Sequence, residues 1–110
     1  MMPAKGADPV WSMVMFDVPT KTDVDRRNAN RFRHFLVDEG FGRVQLSVYA
    51  QYYPNGARAV TVLKKIKQNL PPGGDVRILH ITDKQWSTAS RFSRTKAASI
   101  EEKPEVGVVF

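Results

Sequence analysis

Apolar and polar side chains alternate from Ser12 to Val18, with Val14, Phe16 and Val18 on one side and Met13, Met15 and Asp17 on the other. This is the two-residue period of a strand, and Pro19 stops it. The spacing then changes. Ala29, Phe32 and Leu36 recur at helical intervals with Phe35 beside them. They follow a Thr22–Asp25 pair that has the form of a helix-start box, with Asp in place of Glu. Arginines take the other faces of this helix, and Gly40 ends it. Residues 43–53 alternate again, Val44, Leu46, Val48 and Ala50 against Gln45, Ser47, Tyr49 and Gln51, which predicts a half-buried strand. Pro54-Asn55-Gly56 is a turn. Ala59, Val62, Leu63, Ile66 and Leu70 mark a second amphipathic helix that turns Lys64, Lys65 and Lys67 outward. Pro71-Pro72-Gly73-Gly74 breaks it, and Val76–Ile81 is a further strand. Beyond Trp86 the chain is polar and partly basic, with a short strand expected over Arg91–Thr95, until the apolar Val106–Phe110.

Strand, helix, strand, helix, strand, with the helices on one face, predicts an α+β fold, a ferredoxin-like two-layer sandwich. That arrangement needs two strands between its helices, so residues 43–53 are expected to bend or bulge near Ser47–Ala50. The domain is expected over residues 11–96, after a flexible leader (1–10) and before a linker and C-terminal strand (97–110). With Val14 and Phe16 turned to the helices, Asp17 points from the uncovered face, and Gln45, Ser47 and Tyr49 are expected to share it. Met13 and Met15 lie there too, and large apolar groups left in company argue for a partner. The apolar tail argues likewise. Added as a strand to a sheet edge, in its own or a second chain, it would bury its side chains and satisfy its backbone. Both features predict a homodimer.

Composition narrows the partners. The 110 residues make one small domain, and no apolar run approaches the roughly 20 residues of a membrane helix. There is no cysteine, which excludes disulfides and thiolate metal sites, and the N-terminus lacks an apolar secretory segment. A cytoplasmic location fits. Seventeen Lys and Arg against eleven Asp and Glu leave a formal charge of +6, which favours a polyanionic partner. Arg26, Arg27, Arg31 and Arg33 concentrate that charge ahead of Asp38, and guanidinium groups suit phosphate. His34 and His80, the only histidines, stand without evident catalytic partners and read as structural.

Several stretches, taken in order and spacing, resemble CRISPR-associated protein 2, the small partner of the spacer integrase. They are Val14-Met15-Phe16-Asp17-Val18-Pro19, Asp25-Arg26-Arg27, Gln45-Leu46-Ser47-Val48-Tyr49 and Thr82-Asp83-Lys84-Gln85. Asn69-Leu70-Pro71-Pro72-Gly73, followed by Val76-Arg77-Ile78-Leu79, is similar to members that accompany single-protein effector nucleases. The resemblance implies a ferredoxin-like homodimer whose C-terminal strands pack on the partner subunit. It implies a metal-dependent endonuclease acting on RNA or double-stranded DNA. It also implies a role in spacer acquisition, in which the dimer bridges two integrase dimers and supports the incoming duplex. The family's metal-binding aspartate falls on Asp17, its first-helix basic residues on Arg26 and Arg27, and its second-strand serine on Ser47.

Asp17 and Ser47 are therefore the candidate catalytic residues, and the expected cofactor is a divalent cation, Mg²⁺ or Mn²⁺. One carboxylate per chain is a poor magnesium site, so a two-fold axis is expected to bring a second Asp17 alongside. Like charges that close disfavour joint ionisation until a cation bridges them. Ser47 would hydrogen-bond the attacking water. Read from its residues alone, Asp17 is as well suited to accepting bonds from the Thr20–Thr22 amides. The same basic surface would also serve a non-catalytic scaffold that holds duplex DNA by its phosphates. A further alternative is a single-strand RNA-recognition domain, since Glu39-Gly40-Phe41-Gly42-Arg43-Val44 echoes the aromatic motif of that fold. It lacks the leading base and the stacking aromatic at Arg43.

Overall fold

Burial along the first strand, β1 (Val10–Asp17), alternates residue by residue, as a sheet covered on one side demands. The computed structural model describes residues 8–94. β1 starts at Val10, so this residue belongs to the sheet and not to the leader. It is followed by α1 (Asp23–Asp38), β2 (Gly42–Gln45), β3 (Val48–Tyr53), α2 (Ala57–Gln68), β4 (Asp75–Ile81) and the short α3 (Asp83–Ser87). The strand order is β2-β3-β1-β4 and every neighbouring pair is antiparallel. This is the expected ferredoxin-like α+β sandwich.

Local chemistry sets the helices. The Thr22 hydroxyl accepts the Asp25 amide at 3.0 Å and the Asp25 carboxylate accepts the Thr22 amide at 3.3 Å. This reciprocal cap fixes where α1 begins and contributes about 1 kcal/mol. Gly40 ends α1 at φ +102°, a conformation that a side chain would strain. α1 buries Ala29, Phe32 and Leu36, and α2 buries Ala59, Val62 and Ile66. The buried stripe of α2 is narrower than its apolar pattern: Leu63 remains exposed, and Leu70, expected in this helix, is exposed beyond its end. Against these faces the sheet places Val10, Val14, Phe16, Tyr49 and Tyr53. Phe32 meets Phe16 edge-on with ring centres 5.1 Å apart.

The structure departs from the expected pattern between the two long helices and again after α3. The predicted long strand is two strands, joined by a turn at Leu46 and Ser47, with an irregularity in pairing between Arg43 and Gln45. Ser47 therefore sits in a turn and not within a strand. Tyr49 does not share the uncovered face; it is 3% exposed in the core, paired with Val14. The turn explains the inversion. Gln45 pairs with Val48, and direct partners share a face, so residues of odd number change sides across the hairpin. The strand expected over Arg91–Thr95 is also absent, since residues 91–94 have no regular structure. Thr95, and with it the linker and apolar tail at 97–110, lie outside the described residues.

At the other end of the core, the Tyr53 hydroxyl donates to Gln51 Oε1 at 2.6 Å. Burial pushes its pKa up from 10.0 to about 12. A folded-state pKa above the unfolded one stabilises the protein fully below pH 10.0 and is lost as pH rises through about 12. Denaturant unfolding across that window is expected to show stability falling in the wild type, and the Tyr53→Phe variant losing part of that slope.

Candidate functional site

β1 register partners define the uncovered face of the sheet. On one side Trp11, Met13 and Met15 oppose Tyr52, Ala50 and Val48; on the other, Trp11, Met13, Met15 and Asp17 oppose Ile81, Leu79, Arg77 and Asp75. Direct partners point the same way, so the face is apolar over most of its length and turns charged where β1 ends. Met13 and Met15 are half-buried there, and Leu79 is 45% exposed.

Asp17 is exposed at that charged end. Its carboxylate takes no hydrogen bond and joins no ion pair with a described residue, so it does not organise the Thr20–Thr22 loop. Arg26 does that work. Its guanidinium donates to the carbonyls of Thr20 at 3.0 Å and Lys21 at 3.2 Å and pairs with Asp23. The loop before β4 comes close to the same spot. A Cβ at Gly74 would stand 2.6 Å from Val18 Cγ1 and 3.2 Å from the Asp17 carbonyl oxygen, so glycine is required for that approach. The approach seats Asp75 directly opposite Asp17. Asp75 and Arg77 are the residues that sequence reasoning missed. The signal was the Pro71–Gly74 loop, whose glycines anchor the register of β4.

Ser47 also lies beside the end of β1, where its carbonyl accepts the Phe16 amide at 3.0 Å. The structure thus gathers Asp17 and Ser47, with Arg26 and Arg27 at the neighbouring start of α1. Arg27 is exposed and its guanidinium engages no described residue. Arg31 and Arg33 ride further along α1, on the helix-covered side, and donate to Asn28 and Asn30. Arg33 in addition lies 5.6 Å from the centre of the Phe16 ring, half-buried at the rim of the core. His34 is exposed on α1. His80 opposes Ser12 on the helix side of the sheet, and burial lowers its pKa. Neither histidine reaches the Asp17 face.

α3 closes the far end of the face. A second reciprocal cap, between Thr82 and Gln85, starts it. Trp86 stacks on Trp11 at 4.4 Å, and the Trp11 indole donates to Asp83 Oδ1 at 2.8 Å. A groove of about 410 Å³ is left between the sheet and the following segment, lined among others by Met13, Gln45, Val48, Ile81 and Phe92. The Phe41 of the aromatic echo is 3% exposed and packs in the core, so it offers no platform for a base.

The class is a ferredoxin-like domain whose first strand ends on an aspartate that no described residue engages. The family described as CRISPR associated protein Cas2 matches residues 10–89. A CRISPR-associated endoribonuclease Cas2 of Paracidovorax avenae is 36% identical over 96 residues, covering 87% of this chain and 89% of that one. Another so named, from Lacticaseibacillus rhamnosus, is 41% identical over 76 residues, covering 69% and 75%. The crystal structure of Streptococcus pyogenes Cas2 at pH 6.5 superposes with a TM-score of 0.57 at 23% identity, covering 76% of this chain and 99% of that one. The chain belongs to the Cas2 family. None of its described helices is long and apolar enough to cross a membrane.

Proposed function

We propose that this chain is a metal-dependent endonuclease that hydrolyses phosphodiesters at the charged end of its uncovered sheet face, as a homodimer. The observation that carries the reading is Asp17: exposed, engaged by no described residue, and held at a fixed register against a glycine-shaped loop. The name endoribonuclease, borne by relatives up to 41% identical, supports the same reading.

The donor set suits a hard cation. Asp17 and its register partner Asp75 offer carboxylate oxygens, and among the described residues no three metal-binding side chains gather. Magnesium accepts such a site, filling its other positions with water and substrate phosphate; manganese is the alternative. When bound there, the cation supplies polarisation of phosphate oxygens and a lowered pKa for water. The chain's own part is to fix that carboxylate and to meet the substrate with Arg27. Water adds to phosphorus, the bond to the leaving oxygen breaks, and that oxygen takes a proton. Ser47, whose backbone meets the end of β1, would orient the attacking water. The apolar remainder of the face, Met13, Met15, Val48 and Leu79, is the surface on which a second copy would dock, bringing a second Asp17 near.

The same dimer is proposed to serve spacer acquisition, holding duplex DNA between integrase dimers through phosphate contacts alone. The outward basic side chains of α1 favour this second, non-catalytic role, and binding of that kind weakens steeply with salt. Cleavage assays on RNA and duplex DNA separate the two. Chelation of divalent cations is expected to stop cleavage and leave duplex binding, and magnesium to restore it. Cleavage that survives chelation is the contrary result.

A further inference from the structure

We infer that Arg77 grips the scissile phosphate, holding it beside Asp17 through its guanidinium fork. The inference rests on the endonuclease reading and adds a residue to it. Register places Arg77 on the uncovered face opposite Met15, two positions from Asp75 along β4 and diagonal to Asp17. Diagonal neighbours lie about 7–8 Å apart, a gap that an arginine side chain and a phosphate together span.

The other arginines near this end show what a structural guanidinium does in this protein. Arg26 ties two carbonyls and an aspartate, and Arg33 covers a ring. Arg77 does neither. It is exposed, and its guanidinium joins no hydrogen bond or ion pair with a described residue, although two carboxylates share its end of the sheet. Those carboxylates pose a difficulty that Arg77 answers. A phosphodiester approaching Asp17 meets two negative charges, and it needs a cation on the same face to hold it there. A planar fork takes two phosphate oxygens at once in a fixed geometry, where a lysine acts as a point charge. Its neighbours on that face, Met15 and Leu79, are apolar and do not compete with a phosphate for the guanidinium.

The test uses the full chain with Arg77→Ala and Arg77→Lys beside wild type and Asp17→Asn. Binding of a short labelled DNA duplex is measured against salt, and turnover is measured separately. Each phosphate neutralised contributes about 0.9 to the slope of log affinity on log salt. Arg77→Ala is expected to lower that slope by about 1, while Arg77→Lys keeps it. In turnover, Arg77→Ala is expected to lose roughly 100-fold in kcat/KM, the size of loss seen when one charge-stabilising donor goes. Arg77→Lys should lose less. Melting temperatures of the two Arg77 variants should not change. If Arg77→Ala keeps the wild-type slope, the inference is overturned whether or not the chain cleaves. If its slope falls while Asp17→Asn cleaves like wild type, the phosphate contact stands and the endonuclease reading fails instead.

Discussion

Replacing Asp17 by asparagine is expected to lower cleavage by roughly 100–1,000-fold, the loss that follows removal of one charge-bearing group from a preorganised site. Asparagine keeps the shape and takes away the charge, so the hard-cation site loses a carboxylate while the surface is otherwise unchanged. Folding should not suffer. The carboxylate is exposed and engages no described residue, so nothing is left unsatisfied when it goes. Stability should rise slightly, because like charges directly opposite in a sheet are destabilising and Asp17 faces Asp75. Turnover and thermal melting measured on the same preparation check both halves. A variant that melts earlier and cleaves less would point to damage of the fold.

The largest stability effect is expected at Phe32. This ring is 2% exposed, lies edge-on to Phe16 at 5.1 Å and packs beside Phe35 at 6.3 Å. Phe32→Ala removes apolar burial and leaves a cavity that the flanking sheet cannot close, costing about 3–5 kcal/mol. Domains have about 5–15 kcal/mol in all, and one this small sits low in that range, so the variant should be partly unfolded at room temperature. Urea unfolding gives the value. A loss below about 1 kcal/mol would mean that the helix layer does not depend on this ring.

Where the pattern was unbroken, the sequence was readable. Alternation in β1 located the covered and uncovered sides, and the Thr22–Asp25 box located the start of α1. Between Arg43 and Tyr53 the same rule failed. Leu46 and Ser47 are not the residues of a tight turn, and alternation read straight through them put Tyr49 on the wrong side. α3 was missed because its first turn rests on a Thr82–Gln85 cap with little apolar period behind it. For the site, Asp17 and Ser47 were legible as candidates. Asp75 and Arg77 were not, because they join the face only through pairing with β1, nearly sixty residues away in the chain. A count of charges could not tell Arg26 and Arg33, which have structural work, from Arg27, which has none among the described residues.

In the proposed site Asp17 is the carboxylate that holds the divalent cation. Titrating the apo chain with Mn²⁺, read by paramagnetic resonance, tests this without reference to any substrate. Saturable binding is expected in the wild type and its loss in Asp17→Asn, with the fold unchanged. Equal manganese binding by the two proteins would contradict it.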